Sequence, residues 1–177
     1  MTTVEITLST PKHGFSLFSW LIRFLLRSKY SHSSMHFGDE LTGQRLVSQS
    51  SNGESHEILY DKWLLDNKII KSWSIRVDEN QYRGFRAMSN ELKQVPYSRF
   101  WGIIGVGLHV ISRGKIAIFE DGIRSLYCSE SDVYKLRELG IYFLKDRNFI
   151  TPLDIDIKMS KMADAEPKRV KECYING

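Results

Sequence analysis

A short apolar repeat that begins at a cysteine restricts the fold of this chain more than any other feature of the sequence. Val133, Leu136 and Leu139 recur close to the spacing of an α-helix. Gly140 follows them and suits the left-handed conformation that ends many helices. The pattern therefore predicts a helix whose first turn holds Cys128. Because that turn presents free backbone N–H groups and the positive end of the helix dipole, it favours a thiolate over a thiol.

Cys128 is thus a candidate nucleophile, and the alternative interpretation is a buried structural cysteine. Glu130 and Asp132 lie in the same first turn. They complement the helix dipole but oppose a thiolate by like-charge repulsion. A reactive thiolate at this position therefore needs a cation beside it, most simply a histidine.

An early strand supplies two histidines. In residues 29–38, strand alternation puts His32, Ser34 and His36 on one face. At about 3.3 Å per residue the two histidines lie roughly 13 Å apart, so only one of them can pair with a given thiol.

A partner strand is predicted at residues 45–50, which makes residues 39–44 a hairpin loop. Ser48 and Gln49 are the polar groups on that strand best placed to orient a histidine on its neighbour. The polar residues 50–56 that follow are typical of a loop.

The remaining segments complete a mixed pattern. Residues 4–8 and 69–77 alternate as strands do. Asp78, with a glutamine three residues later, predicts the start of a helix. Residues 153–157 alternate again, and from Lys158 onward the Lys-rich composition predicts a weakly ordered tail.

An apolar helix is predicted at residues 15–27, with a polar stripe of Ser16, Ser19, Arg23 and Arg27. The apolar face is so wide that we expect it to pack in the core. Peripheral contact with lipid is the alternative.

Composition limits the class of protein. A chain of 177 residues with 42% apolar and 26% charged residues suits one globular domain. The net charge of +4 fits an acidic partner but does not predict nucleic-acid binding. Two cysteines make no disulfide framework. With no signal peptide or transmembrane segment apparent, we expect a soluble, cytoplasmic protein.

Several motifs occur in an order that resembles a known superfamily. They are Tyr30-Ser31-His32, Met35-His36-Phe37-Gly38, Val95-Pro96-Tyr97, Leu126-Tyr127-Cys128-Ser129-Glu130 and Ile150-Thr151-Pro152-Leu153-Asp154. With residues 4–8 they resemble the permuted papain-like cysteine hydrolases of the NlpC-type superfamily, in particular the YiiX-like branch. That branch is distantly similar to lecithin:retinol acyltransferase-like enzymes.

The resemblance implies an α+β, circularly permuted papain-like fold with a small antiparallel sheet packed against helices. Residues 1–157 would form the catalytic domain and residues 158–177 a basic tail. It implies Cys128 as the nucleophile and His32 as the general base. Where the family often carries Glu or His as a third polar residue, this chain has Ser48 and Gln49. Glu54 or Glu57 is the other candidate for that role.

The activity implied is that of a cysteine peptidase or amidase working through a thioester intermediate on a peptide, peptidoglycan or acyl-ester substrate. Backbone N–H groups at the helix start, with Tyr127 or Tyr30, would stabilise the oxyanion. A lipid-type acyltransferase or thioesterase is one alternative, and a non-catalytic binding protein that keeps the fold is another. We expect no cofactor and no metal, since the separation of His32 and His36 disfavours a zinc site.

Overall fold

The structure is a computed structural model that describes residues 2–13, 17–40, 42–51, 54–93, 95, 128–143 and 150–173. The sequence predictions that concern Pro96, Tyr97, Leu126, Tyr127 and the tail beyond residue 173 lie outside these residues.

Within these residues, six antiparallel strands form one sheet in the order β4-β3-β2-β1-β5-β6. The strands are β1 (Thr2–Pro11), β2 (His32–Gly38), β3 (Arg45–Ser51), β4 (Glu54–Leu59), β5 (Asn67–Val77) and β6 (Val170–Cys173). The long central strand β1 lies between β2 and β5.

Five helices accompany the sheet in the described part of the chain. They are α1 (Leu17–Leu26), α2 (Tyr60–Asp66), α3 (Glu79–Leu92), α4 (Cys128–Glu138) and α5 (Pro152–Ala165). The described residues therefore form an α+β fold, as the sequence predicts.

The core lies on one face of the sheet. The alternating apolar residues of β1 share that face with apolar residues of β2 and β5, because the register pairs Ile6 with both Met35 and Trp73. Phe85 of α3 and Leu136 of α4 are fully buried in the same cluster. At about 25 cal/mol per Å² of apolar area removed from water, this burial is the main term that holds α3 and α4 on the sheet.

The opposite face of β1 and β2 carries polar side chains. His36 is buried there and lies edge-on to the rings of Tyr60 and Trp63, both from α2. Its two ring nitrogens lie near the hydroxyl groups of Thr7, at 3.4 Å, and Ser34, at 3.1 Å. α2 therefore covers part of this face.

The helix ends confirm two local predictions. Asp78 caps α3, since its side chain accepts a hydrogen bond from the backbone N–H of Gln81 while the Gln81 side chain accepts one from the backbone N–H of Asp78. Gly140 adopts φ +72° just beyond α4, a conformation that glycine adopts without steric cost.

Three segments differ from the sequence-based expectation. Residues 54–56 belong to strand β4 rather than to a loop. Residues 153–157, expected as a strand, form the start of α5, because Thr151 and Asp154 make a capping box around Pro152. The chain after Lys158 does not begin a weakly ordered tail. It completes α5, whose Met159 is fully buried, and then adds β6 to the edge of the sheet.

Helix α1 also differs from expectation. Its polar Ser19 is buried, whereas Leu17, Trp20 and Phe24 are exposed. The expected packing of a wide apolar face into the core is therefore not observed for these three side chains. None of the described helices has the length and apolar character needed to cross a lipid bilayer.

Candidate functional site

The structure brings Cys128 and His32 together. Cys128 is the first residue of α4 and is buried. His32 is the first residue of β2, and α4 packs against β2 and β3. The imidazole and the sulfur interact by charge and by hydrogen bonding. The helix start and the histidine-bearing strand predicted from the sequence thus meet at one place.

The pKa of Cys128 is lowered. Burial is the largest single effect and by itself raises the pKa of the thiol. The positive charge of His32, hydrogen bonding with its ring and a hydrogen bond from the backbone of Ser33 together outweigh that burial. The site therefore favours the thiolate.

The pKa of His32 is raised. Burial is again the largest single effect and by itself lowers the pKa of the imidazole. The negative charge and hydrogen bonding of Cys128, the charge of Asp132 and a hydrogen bond to Gln49 outweigh it. The opposite shifts of the two groups favour a thiolate beside an imidazolium.

Gln49 fixes the orientation of the His32 ring. Its side-chain oxygen Oε1 lies 3.0 Å from Nε2 of His32 and 3.0 Å from Nε1 of Trp63. An indole N–H only donates, so the atom facing Trp63 is the amide oxygen and not the amide nitrogen. Nε2 of His32 therefore carries the proton that Oε1 accepts, and Nδ1 is left for the interaction with Cys128.

The amide nitrogen of Gln49 completes this chain of contacts. It lies 3.2 Å from Nε2 of His56, which stands opposite Gln49 in the β3–β4 register. Gln49 is thus held between Trp63 and His56 while it bonds to His32. Such a locked amide limits the rotation of the imidazole.

The other candidates for the third polar residue lie elsewhere. Ser48 stands opposite Met35 and Glu57 in the register, and strand alternation turns it to the face opposite Gln49. Glu57 makes ion pairs with Arg86 at 2.7 Å and with Lys93 at 3.0 Å. Glu54 is exposed at the start of β4.

Two tyrosines were candidate oxyanion donors, Tyr30 and Tyr127. The hydroxyl of Tyr30 donates to Oδ2 of Asp156 at 2.7 Å, and burial followed by this bond raises the pKa of Tyr30. That bond would have to break before Tyr30 could donate a hydrogen bond to an oxyanion, and Tyr127 lies outside the described residues.

The second histidine, His36, is neutral. Burial, followed by the positive charges of Arg45 and His32, lowers the pKa of His36 to about 3.

A buried charged pair behind the site was not predicted from the sequence. Asp132 and Lys135 are both fully buried, and Nζ of Lys135 lies 3.4 Å from Oδ1 of Asp132. Burial is the largest effect on both groups, and it raises the pKa of Asp132 and lowers that of Lys135. The spacing could have revealed the pair, since Cys128, Asp132 and Lys135 follow one another at i, i+4 and i+7 on one helix face.

We compared this fold and site with known proteins. No family model matches the sequence, and no curated protein matches it. Among solved structures, the chain is similar to the crystal structure of metalloprotein yiiX from Escherichia coli O157:H7, DUF1105. The TM-score is 0.53 at 18% identity, over 92% of this chain and 80% of that chain. This similarity confirms the expected likeness to YiiX at the level of the fold.

Across the described ranges, no group of three or more His, Cys, Asp or Glu side chains is arranged so that it could hold a metal ion. The donor set around Cys128 therefore does not fit a metal site built from described residues.

Replacing Gln49 by leucine is expected to slow alkylation of Cys128 tenfold to a hundredfold. The substitution removes the acceptor of a hydrogen bond to a charged imidazolium, which contributes about 1.5–3 kcal/mol. The second-order rate constant of alkylation at neutral pH, followed by mass spectrometry, measures the effect. Gln44→Leu, the same change at an exposed position of the β2–β3 hairpin, is the matched control. A larger effect from Ser48→Ala than from Gln49→Leu would contradict the role of Gln49.

Proposed function

We propose that this protein is a cysteine hydrolase with a permuted papain-like catalytic domain, in which Cys128 is the nucleophile, His32 the general base and Gln49 the residue that orients His32. The observation that carries the proposal is the interaction of Cys128 with His32 at the start of α4, with the pKa of the thiol lowered and that of the imidazole raised. These opposite shifts are what a thiolate–imidazolium pair requires.

The reaction would proceed in two halves. The Cys128 thiolate attacks the acyl carbon of an amide or ester, and Nδ1 of His32 gives its proton to the leaving amine or alcohol. The product is a thioester on Cys128. His32, now neutral, takes a proton from a water molecule as that water attacks the thioester. The acid is released, and the thiolate and the imidazolium are restored.

Backbone N–H groups at the first turn of α4 would stabilise the oxyanion of both tetrahedral intermediates. They have no carbonyl partner within the helix, and the helix dipole adds positive potential at the same place. The N–H of Cys128 itself is one of them. Because these groups are part of the backbone, they are positioned before the substrate arrives.

Chain order supports the permuted papain-like assignment, and fold similarity supports the likeness to YiiX. The histidine strand precedes the cysteine helix in the sequence, and the fold is shared with the yiiX protein. That neighbour is described as a metalloprotein. The chemistry proposed here uses the residues of this chain alone, and the cytoplasmic location expected from the sequence stays a prediction.

An acyltransferase or thioesterase acting on acyl esters is the second candidate. It would use the same thioester, which an acceptor other than water can also resolve. The exposed apolar residues of α1 favour it, because an acyl chain would need an apolar surface near the site. The hydroxyl groups of Ser19 on α1 and Ser31, which precedes His32, lie 2.6 Å apart.

The pH dependence of Cys128 alkylation tests the proposal. In a Cys173→Ser background, the rate of reaction with iodoacetamide should rise with a midpoint below the value of about 8.5 for an unperturbed thiol. The sign follows from the lowered pKa of Cys128, since the thiolate is the reactive form and persists to lower pH. In the urea-unfolded chain the midpoint should return to about 8.5.

The position of the midpoint carries the test, because restricted access of the reagent to Cys128 lowers the rate at every pH and leaves the midpoint unchanged. His32→Asn should move the midpoint upward, since it removes the largest effect that lowers the pKa of the thiol. A folded midpoint at or above the unfolded one would leave the chain as a non-catalytic binding protein.

A further inference from the structure

Helix α1 presents three of its apolar side chains to solvent. Leu17 is 60% exposed, Trp20 43% and Phe24 66%, whereas Ser19 is only 7% exposed. A helix on the surface of a globular protein normally turns its apolar stripe inward. In α1 Leu26 is turned inward, with Ile22 and Leu25 packed against it, and Ser19 is buried with a hydrogen bond to Ser31. The exposed side chains therefore form a second apolar surface, in addition to the one that α1 turns inward.

The three side chains form one continuous stripe. Leu17, Trp20 and Phe24 follow one another at i, i+3 and i+7, which places them on the same side of the helix. The rings of Trp20 and Phe24 are stacked with centroids 5.4 Å apart. Contiguous exposed apolar surface of this kind marks a site of interaction with a partner or a membrane.

The surroundings of the stripe are positively charged. Between Glu5 and Asp39 the sequence contains no acidic residue. Arg27 and Lys29 are exposed just beyond the end of α1, and within the described part of the chain neither side chain makes a hydrogen bond or an ion pair. Arg23, one turn before Arg27, adds a third positive charge beside the stripe.

We propose that this surface, made of Leu17, Trp20, Phe24, Arg27 and Lys29, docks on an anionic phospholipid bilayer. Tryptophan is enriched at the boundary between lipid headgroups and acyl chains, and phenylalanine and leucine insert beside it. The two unpaired cations lie where they can meet the phosphate groups of anionic lipids. Apolar insertion and charge attraction are the two contributions that peripheral membrane binding combines.

A bilayer fits this surface better than a second protein does. Three partly exposed side chains supply much less than the roughly 800 Å² per partner that a stable protein interface buries. A lipid surface has no such requirement, because each inserted side chain contributes on its own. The absence of acidic residues from this part of the sequence further suits a surface of uniformly negative charge.

Docking would hold the candidate site close to the lipid. Ser31, which binds Ser19 of α1, is the residue before His32. The proposal does not rest on catalysis, since it is argued from α1 and its flanking cations alone. Its failure would leave the proposed chemistry of Cys128 untouched.

Co-sedimentation with vesicles tests the proposal. The protein should bind vesicles of phosphatidylcholine and phosphatidylglycerol, bind vesicles of phosphatidylcholine alone more weakly, and lose affinity as salt is added. Phe24→Ser should weaken binding about tenfold, because it removes an inserted aromatic side chain. Tyr142→Ser is the matched control, since Tyr142 is also 66% exposed and follows the end of α4 that is remote from Cys128.

Two further measurements separate insertion from charge attraction. The emission of Trp20 should shift to shorter wavelength on binding, and comparison with Trp20→Phe separates this signal from that of the three other tryptophans of the chain. Lys29→Gln should weaken binding to the anionic vesicles about fivefold, whereas Lys161→Gln on α5 should not.

Binding that is absent from both vesicle types, or that Phe24→Ser leaves unchanged, would overturn the proposal. So would a concentration-dependent dimer in solution that Phe24→Ser abolishes. That last result would instead identify a second copy of the chain as the occupant of this surface.

Discussion

Replacing Cys128 by serine is expected to reduce hydrolysis of an activated ester by a factor on the order of a thousand or more. Serine keeps the size of the side chain but loses the lowered pKa that, in the proposed mechanism, lets the sulfur act as the nucleophile beside His32. His32→Ala is expected to have a similar effect, because it removes both the charge that stabilises the thiolate and the proton donor for the leaving group. The turnover of a p-nitrophenyl ester series measures both losses.

The two substitutions should not add. Residues that act as one catalytic unit lose nearly the same rate singly and together, so the double variant should be about as slow as either single variant. Full additivity would mean that Cys128 and His32 act independently, which would contradict the proposed pair.

The covalent intermediate gives a second readout of the same prediction. Reaction with the activated ester should add one acyl group to the intact mass, and peptide mapping should locate it on Cys128. Cys173→Ser is the matched control, since Cys173 is the other free thiol and belongs to the edge strand β6. Acylation found at Cys173 and not at Cys128 would contradict the assignment of the nucleophile.

Patterns formed by residues close together in the sequence predicted the parts of the fold that hold the site. The apolar spacing and Gly140 indicated α4 with Cys128 at its start, and among the described residues the helix runs from Cys128 to Glu138. The alternation around His32 indicated β2, and Asp78 indicated the start of α3. Each of these features is set by backbone geometry over a few residues, so a single sequence reveals it.

Other features depend on contacts between distant segments. Choosing between Ser48 and Gln49 required the strand register, which decides the face on which each side chain lies. The sequence pattern of α1 gave its apolar content but not the side it turns to solvent, because the hydrogen bond between Ser19 and Ser31 joins two elements. That the chain beyond Lys158 completes α5 and adds β6, in place of a weakly ordered tail, likewise depends on packing. Met159 is buried in the core formed by other strands and helices.

The buried pair of Asp132 and Lys135 is a further feature that tertiary packing creates. Both side chains lie on the face of α4 that carries Cys128, and both are fully removed from solvent. Oδ2 of Asp132 makes no hydrogen bond of normal geometry with the described residues, although Ser33 lies close enough to lower the pKa of the carboxyl group. The desolvation of the two charges is therefore offset mainly by their mutual attraction.

Breaking this pair is expected to destabilise the protein by about 3–5 kcal/mol. Lys135→Met leaves the carboxyl group of Asp132 buried without its cation, and Asp132→Asn leaves the ammonium group of Lys135 without its anion. The free energy of unfolding from urea titrations measures both losses. Glu79→Gln is the matched control, because Glu79 pairs with Arg83 on the exposed side of α3. An exposed pair of this kind contributes at most a few tenths of a kcal/mol.

The double variant Asp132→Leu with Lys135→Met separates the cost of an unpaired charge from the value of the pair itself. Apolar side chains of similar volume often replace a buried ion pair without loss, so the double variant should recover most of the stability that either single change removes. Asp132→Asn should also lower the alkylation midpoint of Cys128, since the negative charge of Asp132 raises the pKa of that thiol. Single variants as stable as the parent chain would mean that the two groups are not charged together in the folded protein, and an unchanged midpoint would mean that Asp132 does not act on Cys128.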